Sequence, residues 1–217
     1  MNIQSAVDRL NSQLPLKARQ AQLSPALKKL HQAILLSLVT QGTPPTHEEM
    51  AEQMGEAQVA SALQTLGAED LVVLNAAGTD AVGAYPITTE ATPHQLNIDT
   101  RTIYAMCALD AVSVAPMFAS EVKIASHCHV SGDPIQIHMR GSDVIESNPE
   151  GVMIGIRWQM PSSVAAHSMC TEMVFLKDEN TARQWQGDEL ESISLFSLAD
   201  AIAFGMGFFM PLMDDGQ

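Results

Sequence analysis

Cys107 and Asp110 stand three apart in Tyr104-Ala105-Met106-Cys107-Ala108-Leu109-Asp110, and Cys170 follows sixty-three positions after Cys107. Together they are the residues of this chain best suited to carry chemistry. On a helix, a spacing of three puts thiol and carboxyl on one face, where a proton can pass between them. A thiol near its ordinary pKa of about 8.5 is mostly protonated at neutral pH and needs a base or a positive field to become a nucleophile. Asp110 can be that base only if desolvation raises its own pKa, because an ionised neighbour would hold the thiol protonated. The acid so formed could deliver its proton to a leaving group. Two thiolates brought together would chelate a soft metal ion, since sulfur ligands favour soft cations.

Other patterns carry less. Cys170 lies beside Met169, Met173 and Phe175 in a predicted strand, where taken alone it reads as a small core residue. His127-Cys128-His129 invites a metal reading, but strand alternation throws both histidines to the face opposite Cys128, and paired Cys or His ligand spacings are missing. Gly205-Met206-Gly207 has no strand feeding it and no third glycine, so close helix packing accounts for it better than a nucleotide site.

The elements that must position these residues can be read from periodicity. Ser24 and Pro25 start a helix carrying Leu27, Leu30, Ile34, Leu35 and Leu38, which Gly42 and Pro44-Pro45 close. Thr46 and Glu49 form a capping box for a short helix ending at Gly55, and a further helix runs through Val59, Ala62, Leu63 and Leu66 to Gly67. Residues 71–74 and 81–87 read as a hairpin. This order predicts a winged-helix-like module over residues 1–90, with a boundary at Pro86 and the Thr88-to-Pro93 stretch.

Beyond it, Asp99 or Thr100 caps a predicted helix from about Arg101 to Ala111, which puts Cys107 in mid-helix, away from the helix N-terminal dipole. Strands are predicted at 122–128 and, after the turn Ser131-Gly132-Asp133-Pro134, through Ile135 and Ile137, then at 152–160, 168–176 and 193–195. Helices are predicted at 180–186 and 198–209. The fold class expected is α+β: an N-terminal helical winged-helix-like module, then a mixed α/β catalytic domain with antiparallel strands over 91–217.

Composition narrows the partners. The 217 residues are 46% hydrophobic and carry a formal charge of −14, enough chain to bury a sizeable core. No Lys or Arg occurs between Lys29 and Arg101, whereas Glu48, Glu49, Glu52, Glu56, Glu69, Asp70, Asp80 and Glu90 do, so nucleic acid is not an expected partner. The last helix of the N-terminal module offers Gln58, Gln64 and Thr65 but no cation, which favours a packing role. The N-terminus lacks a signal-peptide pattern, and the apolar tract 195–213 holds Asp200, Gly205, Gly207 and Pro211. A buried helix is therefore expected there, with no membrane span. Three cysteines spaced by twenty-one and forty-two are no disulfide framework, and reduced thiols in the cytoplasm are expected.

Taken together, these segments resemble the organomercurial lyases (alkylmercury lyases). The resemblance runs through Ile98-Asp99, Tyr104 to Asp110, Ser126-His127-Cys128 with Gly132 and Pro134, Ser168-Met169-Cys170, Trp185 and Ala203-Phe204-Gly205-Met206-Gly207, in order, over most of residues 95–210. It implies that Cys107 and Cys170 hold the mercury of an organomercurial substrate, that Asp110 moves the proton, and that Cys128 is a structural thiol. It also implies protonolysis of the carbon–mercury bond without a separate cofactor, with Hg(II) passed to a mercuric reductase or to small cellular thiols. One departure is Met106, where the family often has Trp. A soft-metal-responsive regulator, which would bind DNA, and a metal carrier that retains thiols without breaking a bond are the alternatives.

Overall fold

A computed structural model describes residues 2–214. The N-terminal part is helical, with α1 (Ile3–Gln13), α2 (Leu16–Ala21), α3 (Pro25–Gln41), α4 (His47–Met54) and α5 (Glu56–Ala68). The end signals work as expected. Ser24 Oγ accepts from Leu27 N–H, Gly42 closes α3 at φ 80°, and Thr46 and Glu49 make a reciprocal capping box. Helices α1 and α2 were not anticipated, because the mixed polarity before Lys17 leaves a narrow apolar face of Ala6, Val7 and Leu10.

Strands β1 (Val72–Leu74), β2 (Ala81–Ala84), β3 (Ile87–Thr88), β4 (His94–Ile98) and β5 (Arg101–Ala105) follow, then helix α6 (Ala108–Met117). Next come β6 (Glu121–His127), β7 (Pro134–Arg140), β8 (Asp143–Asn148) and β9 (Met153–Arg157), and two 3₁₀ turns at Ala165–His167 and Cys170–Glu172. The chain continues with β10 (Met173–Leu176), α7 (Glu179–Gln186), β11 (Ile193–Ser197), α8 (Leu198–Phe209) and a 3₁₀ turn at Met210–Met213. The fold is mixed α and β. All strand pairings are antiparallel, in an eight-stranded sheet of order β1-β2-β3-β5-β4-β6-β7-β8 and a three-stranded sheet β10-β9-β11. The β1–β2 hairpin joins the large sheet through β3, which pairs with β5 across the stretch around residue 90.

Helix α6 is the centre of the molecule, with every residue buried, including Asp110 and Ser113. It lies among β3, β4, β5 and β6 of the large sheet, β10 of the small one, and α8. The α6–α8 approach is close because Gly205 has no side chain: a Cβ there would run into Ser113, whose hydroxyl turns back to donate to Leu109 O at 2.6 Å. A Cβ on Gly207 would press on Val7 of α1 at 3.0 Å. The glycines of 205–207 therefore serve packing, as expected.

Two expectations at the site are corrected. The helix predicted from Arg101 to Ala111 is strand β5 up to Ala105, a break, and then α6 from Ala108. Asp99 and Thr100 are not a helix cap. They form the two-residue loop of a hairpin in which Ile98 pairs with Arg101 and Leu96 with Ile103, with Asp99 at φ 52°. The strand wins because Ile103 and Ala105 bury one face while Thr102 faces solvent, a period of two that β-branched residues favour. Likewise Cys170 lies in a 3₁₀ turn, not in a strand. Strand β9 ends at Arg157, so only Met173 to Leu176 have a pairing partner, and the residues before them close local turns such as Glu172 N–H to Met169 O at 3.1 Å.

Candidate active site

Because α6 begins at Ala108, Cys107 is its N-cap, with extended backbone (φ −152°, ψ 178°) and its sulfur accepting from Asp110 N–H at 3.3 Å. This is the position at which Ser or Asp oxygens ordinarily cap a helix, and the unpaired amides and dipole there favour negative charge. The mid-helix placement expected for Cys107 is thus replaced by one better suited to a thiolate. Asp110, in the first turn, remains on the same face as the thiol.

The turn that carries Cys170 packs beside this helix start. The two sulfurs and an Asp110 carboxylate oxygen all lie within 4.8 Å of one another. Cys107 is 0%, Asp110 2% and Cys170 4% exposed, so the cluster is closed from solvent. Asp110 Oδ2 is buried without a hydrogen-bond partner, a costly arrangement for a carboxylate and a natural one for an acid waiting to exchange a proton. The Cys107 thiol also points at Met173 Sδ, 3.7 Å away. Met173 was anticipated only as a core neighbour of Cys170, and a single sequence holds no signal for its sulfur facing the other cysteine.

Burial governs the protonation states. It pushes the Asp110 carboxyl up to about 7, with hydrogen bonds from Cys107 acting in the opposite sense. Burial likewise lifts the Cys107 thiol far above its ordinary range, helped by Cys170 and Asp110 and opposed by the Asp110 amide. For Cys170 the strongest influence, its hydrogen bond with Cys107, favours the thiolate. Burial and the charges of Asp110 and Asp70 outweigh it, and the thiol is raised. At rest the pocket therefore holds two neutral thiols beside a carboxyl poised near neutrality. A soft cation arriving at such sulfurs displaces their protons, and Asp110 is the nearby group able to take one up.

The remaining anticipated residues lie elsewhere. Cys128 follows β6 and is shut from solvent, with its amide donating to Asp133 O at 2.8 Å. Although burial opposes it, hydrogen bonds from Ser131, Lys177 and Val130 hold its thiol below the ordinary value. His127 and His129 are exposed, whereas Cys128 between them is buried. The His129 ring meets Trp185 edge-on at 6.1 Å. Ser126 pairs with His94 Nδ1 at 2.9 Å, on strands β6 and β4. Met106 is buried, and its terminal methyl lies over Gly83, where a Cβ would come within 2.8 Å of it. Met106 therefore fills a slot against β2.

Comparisons with known proteins bear on the family and the fold. The sequence profile of the alkylmercury lyase family matches residues 87–210. The alkylmercury lyases of Staphylococcus epidermidis and Bacillus cereus are each 28% identical over 173 residues, covering 79% of this chain and 77% of theirs. That of Streptomyces lividans is 24% identical over 172 residues, covering 79% of this chain and 78% of its own. The crystal structure of the mercury-bound form of MerB2 superposes with a TM-score of 0.76 at 21% identity, over 91% of this chain and 98% of that one, so the fold is shared. With more than half of its length matched by that profile, the chain belongs to the alkylmercury lyase family.

Proposed function

We infer that this protein is an enzyme that cleaves the carbon–mercury bond of organomercurials by protonolysis, with Cys107, Cys170 and Asp110 as its catalytic residues. The observation that carries this is the meeting, within 4.8 Å, of two buried thiols and a buried carboxyl one of whose oxygens has no hydrogen-bond partner. A cationic R–Hg⁺ is soft and thiophilic. In the proposed sequence one thiol binds the mercury and loses its proton. The second thiol passes its proton to the Asp110 carboxylate and adds its sulfur to the metal, which raises electron density on the bound carbon. Asp110 then protonates that carbon and is again a carboxylate. The balance is R–Hg⁺ plus two thiols giving R–H, mercury held by two thiolates, and one proton. These steps use only groups of this chain and the substrate.

The mercury leaves for a mercuric reductase or for small cellular thiols in the cytoplasm. Among the described residues no helix is long and apolar enough to cross a membrane. Cys128 serves as a structural thiol in the turn before β7. Residues 1–90, whose α3 to α5 and β1–β2 hairpin support a winged-helix-like reading, form a module added to a catalytic part over 91–217. Gln64, one of the few polar groups a DNA-reading helix could offer, donates to Gly78 O within this module, and α5 carries no cation.

The test is headspace detection of methane from methylmercury or benzene from phenylmercury. Removal of either Cys107 or Cys170 should impair binding and abolish turnover, and Asp110→Ala should keep much of the mercury binding while hydrocarbon release disappears. Release at the parental rate from Asp110→Ala would refute the assignment of the acid. Mercury retention by the parent protein without any hydrocarbon would make it a carrier.

A further inference from the structure

Cys170 sits on the longest irregular stretch near the site, residues 158–172 between β9 and β10, which lies outside both sheets and must be held by contacts other than a strand ladder. An irregular segment of this length loses its conformational freedom only against specific anchors. Two consecutive amides of the first 3₁₀ turn supply them. Ala165 N–H donates to Asp70 Oδ2 at 3.1 Å, and Ala166 N–H donates to Tyr85 Oη at 2.8 Å. The two acceptors are joined, with Tyr85 O–H donating to Asp70 Oδ1 at 2.9 Å. Both come from the N-terminal part of the chain, and Cys170 follows four and five residues after the amides they hold.

The backbone at Asp70 indicates that its carboxyl is there for this purpose. Asp70 follows the last residues of α5 in a helix-ending turn, its N–H donating to Gly67 O and that of Leu71 to Leu66 O, each at 3.0 Å. This pattern needs a left-handed residue at position 70, which glycine supplies without steric cost, yet the chain has aspartate there at φ 53°. The strain is offset by a carboxylate whose two oxygens bind the loop and Tyr85. Tyr85 is 1% exposed and uses its hydroxyl both as donor and as acceptor. Arg19 of α2 lies 3.9 Å from Asp70 and donates to Glu69 O at 3.0 Å, which fixes the end of α5 from the other side. The Asp70 carboxylate is also among the groups that raise the Cys170 thiol, after burial and Asp110.

We propose that Asp70 and Tyr85 are positioning residues that hold the 3₁₀ turns of the Cys170 segment so that its sulfur meets Cys107 and Asp110, which gives the N-terminal part of the chain a share in catalysis. The proposal rests on the lyase reading above and adds to it the residues that fix the second sulfur. The hydrogen bonds of both side chains go to each other and to the Cys170 segment's backbone, and none goes to Cys107, Cys170 or Asp110. Their effect is on the geometry of the step in which the second sulfur joins the metal, where small displacements carry large rate penalties.

The full-length protein with Asp70→Gly separates this role from a structural one. Glycine relieves the left-handed strain and keeps the turn that ends α5, so the thermal midpoint should stay close to the parental value. The variant should still capture one equivalent of methylmercury through Cys107. Its single-turnover methane release should fall by roughly ten- to a hundredfold. Hg(II) loaded directly should be stripped by excess 2-mercaptoethanol at least about tenfold faster than from the parent, as expected when one of two sulfurs is misplaced. Tyr85→Phe, which removes one acceptor and the link to Asp70, should show the same pattern more weakly. Asp70→Asn keeps a left-handed-tolerant side chain with an acceptor oxygen and should recover part of the loss. Parental methane release and parental Hg(II) retention in Asp70→Gly would overturn the proposal. If the parent itself released no methane, the lyase reading would fail, and the Hg(II)-stripping rates would still decide whether this pair positions Cys170.

Discussion

At the scale of the residue, the decisive feature is a carboxyl taken out of water next to two sulfurs. Asp110 has its pKa raised to about 7 by burial, so the folded protein binds this proton more tightly than the unfolded chain does. Its contribution to stability is therefore fully present below the ordinary value of 3.8 and is lost as pH rises through about 7. Replacing Asp110 with Asn should raise the thermal midpoint at pH 8, by an amount on the order of 2–4 kcal/mol in unfolding free energy, while turnover falls by at least about a hundredfold. Calorimetry beside headspace analysis checks both halves. A variant no more stable than the parent at pH 8 would mean that the carboxylate is better solvated than its unpartnered oxygen implies. In the proposed sequence of steps Asp110 begins as a carboxylate that accepts the thiol proton. Single-turnover hydrocarbon release should accordingly decline as pH drops below about 7, and a stopped-flow pH series with phenylmercury would reveal it.

At the scale of the element, the site depends on where α6 starts and how it is held. A start at Ala108 makes Cys107 a cap, and a start several residues earlier would have hidden the sulfur in the helix interior. The helix is fixed by α8, whose Gly205 meets Ser113. Gly205→Ala should destabilise the fold by about 1–3 kcal/mol, because the added methyl would have to displace a rigid, fully buried helix. Urea unfolding measures this, and restoration of the midpoint by the double change Gly205→Ala with Ser113→Gly would show that the contact itself is responsible. The periodicity of α3, α5, β6, β7 and α8 is legible in the sequence because each buries one regular face. Strands β3, β4 and β8 are not, since the first is two residues long and β8 lies at the sheet edge almost wholly exposed.

At the scale of the whole molecule, buried histidines oppose Asp110. Burial holds His31 and His94 near 4, so both are neutral in the folded state. Their contributions are fully present above the ordinary 6.5 and are lost as pH falls toward 4. These two groups, joined by the hydrogen-bonded carboxylates of Glu121, Asp133 and Asp178 that are held below their ordinary values, outweigh the two carboxyls that burial raises, Asp110 and Asp70, so the thermal midpoint should fall between pH 6.5 and 4.5. The fall should be steeper in Asp110→Asn, where the compensating proton site is gone, and scanning calorimetry across that range distinguishes the two slopes. The chain's residue types settled a great deal unaided: soft sulfurs with a nearby acid, a stretch from residue 30 to 100 without Lys or Arg, and helix ends written in Ser24, Thr46 and Gly42. These are local properties, carried by side-chain chemistry and by hydrogen bonds within a few residues. Tertiary structure alone decided that residues 101–105 pair with β4 and do not coil, that Cys170 leaves the sheet, and that Asp70 and Tyr85 reach across the chain to the segment bearing it. Each of those outcomes depends on a partner supplied from far away in sequence, and the energy of pairing or burial with that partner exceeds the modest preferences a short segment has by itself.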